Sequence, residues 1–283
     1  MASWLSLLVG CLLLLNLPGN DCEKAKGQDI EEENTFLDLH ATKFYVDKSS
    51  FIRDFVLMDT KIVLLTLPPK WGKTVAVDML RAFLELNVDE NGERVYWSPD
   101  MLTDPNLKIS RHQAMPNIFV DPNLKISRHR TLITAHYKRH PVIHVSFHDV
   151  QGDTVESMLP SLTEAIARAF DHHRYMQPVL SRDAVGPDSV SSYNARYSLH
   201  IFEQIRNRTV DRETLKTSLY MLVEILNRKF GTVWILIDAY DHPIDIGQTQ
   251  DLAEADAKMD YLRDLLQKTF KLRWHFHKAL LSG

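Results

Sequence analysis

Gly72-Lys73-Thr74 and Asp238 are the residues whose types and positions could do chemistry together. The tripeptide follows a short apolar run and opens a segment of helical periodicity, and Asp238 ends another apolar run. At a helix N-terminus backbone N–H groups face an anion, a lysine reaches its oxygens, and a threonine hydroxyl and an aspartate hold Mg²⁺. These residues therefore predict phosphate binding, although the first glycine of the G-x-x-x-x-G-K-[ST] pattern is replaced by Leu67.

Alternating strands and helices must position these residues. Solid apolar runs predict strands buried on both faces, and residues spaced three and four apart predict helices. The predicted strands are Ile62–Leu65, Val142–Phe147, Val233–Ile237 and Lys278–Ser282. The predicted helices are Thr74–Leu86, Val155–Phe170, most of Tyr197–Phe230, and Ala253–Phe270. This alternation predicts an α/β fold with a parallel sheet covered on both faces.

The overall composition excludes several classes of protein. Of the 283 residues, 45% are hydrophobic and 25% charged, which is typical of a globular chain. Lys and Arg total 33 against 37 Asp and Glu, without a block of like charge, so neither nucleic acid nor a membrane surface is an expected partner. The two cysteines, Cys11 and Cys22, lie too early in the chain to form a disulfide framework, so burial must hold the core.

The first 20 residues contain no Asp, Glu, Lys or Arg. Within them Leu5–Leu17 is an apolar run shorter than the roughly 20 residues of a spanning helix. We therefore predict a signal peptide over 1–20, then a flexible acidic segment over 21–35, and a secreted or ER-luminal protein without a membrane anchor. The alternative is a retained hydrophobic helix, because no basic residue precedes the apolar run.

One nonapeptide occurs twice. Asp104–His112 recurs identically as Asp121–His129, and two copies indicate a local duplication, from a repeated exon or a faulty gene model, rather than a solenoid. Prolines and the lack of periodicity predict a loop-rich insertion over 91–131. Ser181–Ser192 is predicted as a second loop. Asn207-Arg208-Thr209 is a sequon for glycosylation.

Three segments resemble the signatures of the predicted AAA-ATPase-like family. Phe44–Ile52 is similar to its VDKT-x-x-[LF]-I motif, Leu67–Thr74 to RP[RK][RK]FGK[ST], and Leu236–Ile244 to LIDEYD-x-P[IL]. The resemblance covers 36–283 and implies a P-loop NTPase-like three-layer sandwich with a mostly parallel sheet in the order five-one-four-three-two. It also implies that the last strand and the lid domain are missing, which would leave the first strand with an exposed edge.

The resemblance assigns roles to particular residues. Lys70, Gly72, Lys73 and Thr74 would bind the nucleotide, and Thr74 with Asp238 would hold the Mg²⁺ that accompanies ATP. Two departures bear on activity. Leu67-Pro68-Pro69 replaces Arg-Pro-Arg and removes two positive charges, while Ala239 replaces the glutamate that polarises the attacking water. We therefore expect nucleotide binding with weak or absent hydrolysis, because positioning and electrostatics supply most of phosphoryl-transfer catalysis.

Two alternatives stay open from the sequence. In the first, the chain is an active ATPase in which Asp241 replaces the lost glutamate, provided that the backbone stays extended after Asp238, and oligomerisation supplies missing parts. In the second, the chain is a secreted interaction protein that keeps the fold and binds no nucleotide.

Overall fold

The computed structural model describes residues 36–283 except 41, 43–44, 69, 90, 96–117, 186–189, 245–251 and 272–273. The predicted signal peptide, the acidic segment and the first copy of the nonapeptide lie outside the described residues. The elements in chain order are α1 (Phe36–His40), α2 (Ser50–Leu57), β1 (Ile62–Leu65), α3 (Lys73–Leu84), β2 (Asn87–Val88), β3 (Arg94–Val95), α4 (Arg130–His136), β4 (Val142–Ser146), α5 (Val155–His172), α6 (Met176–Ala184), α7 (Val190–Arg206), α8 (Arg212–Leu215), α9 (Ser218–Phe230), β5 (Val233–Asp238), α10 (Leu252–Thr269) and β6 (Phe276–Ser282).

Four of the strands form one parallel sheet in the order β1-β6-β5-β4, while β2 and β3 pair separately as a small antiparallel ladder. The α/β prediction is confirmed, and so is the expectation that β1 lies at an edge of the described sheet. All six side chains of β5 are buried because helices cover both faces at the sheet centre. Because the strands are parallel, their carboxyl ends meet at one edge, here called the carboxyl edge, and their amino ends at the opposite amino edge.

Helices form a layer on each face of the sheet. On one face Val63, Leu236 and Leu280 pack with apolar side chains of α2, α3 and α4. On the other face Ile143 and Ile235 pack with α5, α7, α9 and α10. Apolar residues three and four apart create these helix faces, as in α3, whose buried side chains are Ala76, Val77, Met79, Leu80, Phe83 and Leu84.

Several element boundaries differ from the predictions. Strand β1 is not buried on both faces, since Ile62 is 37% and Leu64 49% exposed, because an edge strand lacks a neighbour that would extend the covering layer. The predicted loop Ser181–Ser192 is helical at both ends, with α6 ending at Ala184 and α7 beginning at Val190, and its central residues 186–189 lie outside the described part of the chain. Tyr197–Phe230 is divided among three helices, α7 to α9.

Within the predicted insertion, the described residues form short elements: β3, 3₁₀ turns at Ile118–Val120 and Lys125–Arg128, and the start of α4 at Arg130. The second copy of the nonapeptide therefore contributes a 3₁₀ turn to the core, with Leu124 and Ile126 buried. The helices in the described part of the chain are too short or too polar to serve as membrane spans.

The amino edge is closed by buried polar side chains. The Lys278 ammonium, on β6, donates hydrogen bonds to the carbonyl oxygens of Phe55, Val56 and Met58 and so caps the C-terminal end of α2. His173 lies beside the first residue of β4, where its Nε2 is 3.1 Å from the Val142 carbonyl oxygen and its Nδ1 is 2.7 Å from the Tyr175 hydroxyl. This edge is thus packed with groups whose hydrogen bonds stay inside the fold.

Candidate functional site

The loop Leu67–Thr74, called the phosphate loop below, joins β1 to α3. Its turn is closed by the Trp71 N–H, which donates to the Pro68 carbonyl oxygen at 3.3 Å. Gly72 has φ +82° and ψ +34°, a left-handed conformation that glycine adopts without steric cost. Lys70 has φ +66°, a region that costs a residue with a Cβ atom about 1 kcal/mol. The backbone therefore reverses sharply just before α3 begins.

At the start of helix α3, the first N–H groups have no hydrogen-bond acceptor among the residues that the structure describes. Gly72 is its N-cap residue and makes no side-chain cap, and the first turn holds no acidic residue. The first N–H groups of a helix have no partner within the helix, and the helix dipole adds a partial positive charge there. These N–H groups can therefore bind an anion.

Lys73 and Thr74 add side-chain groups at this place. The Lys73 ammonium donates to the Leu67 carbonyl oxygen at 2.8 Å. The lysine side chain therefore reaches from the start of α3 back to the first residue of the phosphate loop. Thr74 is exposed, with its hydroxyl on the first turn of α3. A half-buried ammonium and an exposed hydroxyl beside open N–H donors can contact phosphate oxygens and a hard cation.

Asp238 ends β5 at the same carboxyl edge and is only 3% exposed. Its Oδ1 accepts hydrogen bonds from the Ala239 N–H at 3.1 Å and from the Ser282 hydroxyl. Among the described residues, both hydrogen bonds to this carboxylate end on Oδ1, which leaves Oδ2 for a cation. Carboxylate and hydroxyl oxygens suit Mg²⁺, so Asp238 and Thr74 fit the expected ligand types.

Hydrogen bonds between strand ends bring the two halves of the site to one edge. The Gly283 N–H donates to the Leu65 carbonyl oxygen at 3.2 Å, and the Tyr240 N–H donates to the Ser282 carbonyl oxygen at 3.0 Å. Strand β6 thus lies between the phosphate loop, which follows β1, and Asp238, on β5. The structure therefore places Lys70, Gly72, Lys73 and Thr74 on one side of β6 and Asp238 on the other.

The backbone does not stay extended after Asp238, so the premise of the Asp241 alternative is wrong. Ala239 has φ +53°, and His242–Ile244 forms a 3₁₀ turn. Asp241 is exposed, and its carboxylate lies over the end of β6, where a Cβ atom added to Gly283 would be 2.8 Å from Asp241 Oδ1. Asp241 therefore stays at the carboxyl edge but arrives there through a turn, and its catalytic role remains a prediction.

His144 lies in the middle of β4, where it pairs with Leu236 of β5. Burial and the nearby Arg81 guanidinium lower the pKa of His144 to about 4, against an opposing effect of the Asp238 carboxylate. The imidazole is therefore neutral at pH 7 and does not offset the charge of Asp238. In the part of the chain that the structure describes, no group of three or more His, Cys, Asp or Glu side chains could hold a metal ion.

Sequence reasoning gave no role to Val46-Asp47-Lys48, and the structure shows the contacts of this segment and of the adjoining Ser49, together called Val46–Ser49 below. Asp47 Oδ2 accepts from the Lys125 N–H at 2.8 Å, and the buried Ser49 Oγ accepts from the Ile126 N–H at 3.0 Å. The Lys48 ammonium donates to the Trp71 carbonyl oxygen at 2.7 Å. The segment therefore touches both the phosphate loop and the second copy of the nonapeptide. The signal available in the sequence was its similarity to a family motif, which names residues but not contacts.

A parallel sheet in this order, a glycine-lysine loop between β1 and α3, and an aspartate at the end of β5 define a P-loop NTPase-like domain. The family model described as Predicted AAA-ATPase matches residues 34–121 and 108–283. The chain therefore belongs to the AAA-ATPase-like family. The first copy of the nonapeptide lies in one matched stretch and the second copy in the other. No curated protein and no solved structure matches the chain.

Proposed function

We propose that this protein binds a nucleoside triphosphate with Mg²⁺ at the carboxyl edge of its sheet. The observation that carries this proposal is the uncapped start of α3 with the Lys73 ammonium arched across the phosphate loop. Family membership supports it, since an ATPase-like family suggests nucleotide binding. The ligand chemistry is therefore a polyphosphate chain, for which Mg·ATP is the natural probe.

Each residue has a role in this proposal. The N–H groups of Gly72, Lys73 and Thr74 bind phosphate oxygens, and the Lys73 ammonium exchanges the Leu67 carbonyl oxygen for a phosphate oxygen. Lys70 adds positive charge at the entrance of the loop. Thr74 and Asp238 hold Mg²⁺, which when bound neutralises charge on the phosphates.

We propose further that hydrolysis is weak or absent. Ala239 lies next to Asp238 and carries neither a charge nor a hydrogen-bond acceptor on its side chain. A positioned general base contributes about 10²- to 10⁴-fold to a proton transfer, and Ala239 cannot supply this. The backbone after Asp238 is not extended, so the condition under which Asp241 would replace the glutamate is not met, which supports binding without efficient turnover.

Calorimetric titration with Mg·ATP tests the binding proposal. We expect saturable binding to the parent protein and a loss of about 10- to 100-fold in affinity for Lys73→Ala, because a charged hydrogen bond to phosphate is removed. Lys271→Met removes an equal charge from an exposed position after α10 and should bind like the parent. Negligible heat for the parent, or equal affinity for the parent and Lys73→Ala, would contradict the proposal.

We also propose that the protein enters the secretory pathway, on the strength of the uncharged first 20 residues. Asn207, which begins the sequon, is exposed at the end of α7. Expression in a eukaryotic cell line should therefore yield a protein in the medium that begins near residue 21 and shifts in mass on deglycosylation. Full-length protein retained in the cytosol would exclude this localisation.

A further inference from the structure

Lys48 is the residue of the Val46–Ser49 segment that contacts the phosphate loop. Its ammonium donates to the Trp71 carbonyl oxygen at 2.7 Å across 23 residues of sequence. The same nitrogen is 3.6 Å from the position that a Cβ atom on Gly72 would occupy. The contact therefore falls on the Trp71–Gly72 peptide, where the backbone turns into its left-handed conformation.

The backbone on both sides of Lys48 is fixed. Asp47 Oδ1 accepts from the Ser49 N–H at 2.8 Å, while its Oδ2 accepts from the Lys125 N–H at the same distance. Ser49 has no exposed surface, and its hydroxyl oxygen accepts from the N–H of Ile126, which is fully buried as well. The base of the Lys48 side chain is thus anchored to the core, and a side chain on an anchored base loses less entropy when its ammonium forms a bond.

The phosphate loop has few other fixed points. It follows an edge strand, contains two adjacent prolines without N–H donors, and holds Lys70 and Gly72 at positive φ. Besides the bond from the Ala76 N–H to the Gly72 carbonyl oxygen that opens α3, its described hydrogen bonds are the turn from Trp71 to Pro68, the Lys73 bond to Leu67, and the Lys48 bond to Trp71. When Lys73 turns to a phosphate, the bond from Lys48 is the remaining side-chain bond among these.

We propose that Lys48 is a positioning residue for the phosphate loop: it holds the Trp71 carbonyl so that the N–H groups at the start of α3 face the bound phosphates. This inference rests on the proposed function. Lys48 acts through the loop backbone and not through the substrate. The neighbouring Asp47 and Ser49 bind the same segment to the second copy of the nonapeptide. Lys48 therefore connects the phosphate loop to a segment that is fixed on the core.

The experiment combines amide hydrogen exchange of the free protein with Mg·ATP titration, for the parent, Lys48→Met, Lys48→Arg and Lys125→Met. In Lys48→Met the Trp71 amide should exchange about fivefold faster and Mg·ATP should bind about fivefold more weakly, since a charged hydrogen bond on an exposed side chain contributes about 1 kcal/mol. Lys48→Arg keeps a charged donor and should restore both values. Lys125→Met removes the same charge from the nonapeptide, whose backbone makes the contact with Asp47, and should change neither.

Unchanged Trp71 exchange in Lys48→Met would overturn the inference, as would an equal change in Lys125→Met. General loss of protection in β5 would also overturn it, because one bond from an exposed side chain cannot hold the whole fold. A parent protein that binds no Mg·ATP would refute the proposed function alone, since the exchange of the free protein still decides whether Lys48 holds the loop.

Discussion

The two edges of the parallel sheet use lysine in different ways. At the amino edge Lys278 is 4% exposed, and its ammonium donates to three carbonyl oxygens at the end of α2. At the carboxyl edge Lys73 is half-buried and donates to one carbonyl oxygen, in a loop that follows the edge strand. A lysine with several internal acceptors holds the fold, whereas a lysine with one acceptor beside open N–H groups can exchange it for a ligand.

Histidines at the two edges show the same contrast. His140 and His173 lie at the amino edge, where burial lowers the pKa of each to about 3. His148 and His242 follow the carboxyl ends of β4 and β5, with ring centroids 5.3 Å apart, and His148 is exposed. The amino edge thus holds neutral groups that protonation would disturb, while the carboxyl edge carries exposed side chains such as Thr74 and His148. The predictions below begin with the largest expected effect.

Acidification should destabilise the protein through its buried histidines, two of which lie at the amino edge. The pKa of His140 and of His173 is about 3 in the folded protein and 6.5 in an unfolded chain. Between these values the unfolded chain binds more protons than the folded protein does. The contribution of the two neutral histidines to the free energy of unfolding is therefore complete above about pH 7 and falls as the pH drops through 6.5. At pH 5 the loss is about 2 kcal/mol for each histidine. Urea unfolding at pH 7.5 and pH 5 measures it.

Two variants, one at each edge of the sheet, show which edge causes this loss of unfolding free energy. His173→Gln keeps a donor and an acceptor but does not titrate, so its loss between pH 7.5 and pH 5 should be smaller by about 2 kcal/mol. Thr74→Ala, a change of a non-titrating residue at the carboxyl edge, should show the same loss as the parent. A free energy of unfolding that is equal at both pH values would refute the contrast between the edges.

Lys278→Met should lower the free energy of unfolding by about 3 kcal/mol, because it leaves three carbonyl oxygens at the end of α2 without their donor. Affinity for Mg·ATP should stay within about twofold of the parent, since the lysine lies at the other edge. Denaturation by urea and calorimetric titration give the two values. Lys73→Ala should show the opposite pattern, and a loss of stability below about 1 kcal/mol in Lys278→Met would weaken the distinction between the two lysines.

Ala239→Glu should raise ATP turnover on the order of 100-fold, because it places a carboxylate beside Asp238 that can polarise water. Ala239 already has positive φ, so the change adds no new class of backbone strain. Steady-state phosphate release measures the effect. Ala135→Glu, on the exposed side of α4, is the matched control and should leave turnover at the parent level. Parent turnover that already equals that of Ala239→Glu would show that the loss of the glutamate is not limiting.

Gly72→Ala and Gly231→Ala compare two glycines with nearly equal φ, +82° and +85°, at which an added Cβ atom would make ordinary van der Waals contacts or none. Both substitutions should lower the free energy of unfolding by about 1 kcal/mol or more, because positive φ disfavours alanine. Only Gly72→Ala should weaken Mg·ATP binding, since Gly231 precedes β5 at the amino edge. Equal affinities in the two variants would remove Gly72 from the site.

Much of the fold could be predicted because strands and helices leave periodic patterns in the sequence. The predicted strands agree with β1, β4, β5 and β6 to within two residues at each end. The exposure of Ile62 and Leu64 was predicted wrongly, because an apolar run does not show whether a neighbouring element covers it. The helix starting after the phosphate loop was also predictable, since its apolar spacing is strong.

Contacts between distant segments could not be predicted from the sequence. Lys48 reaches Trp71 across 23 residues, Ser282 reaches Asp238 across 44, and Lys278 reaches Met58 across 220. Such bonds depend on which elements become neighbours in the sheet and leave no periodic signal. Similarly, the turn at Ala239 could not be predicted, because alanine rarely adopts the positive φ that it has here.

Amide hydrogen exchange with and without Mg·ATP tests the central claim, that the carboxyl edge binds the ligand and the amino edge holds the fold. We expect Mg·ATP to slow exchange at Trp71–Ala76 and at Asp238–Tyr240, and to leave His140–Ile143 and Phe276–Lys278 unchanged. In Lys73→Ala the slowing should disappear while the unliganded pattern is kept. Protection by Mg·ATP at the amino edge, or none at either edge, would contradict the claim.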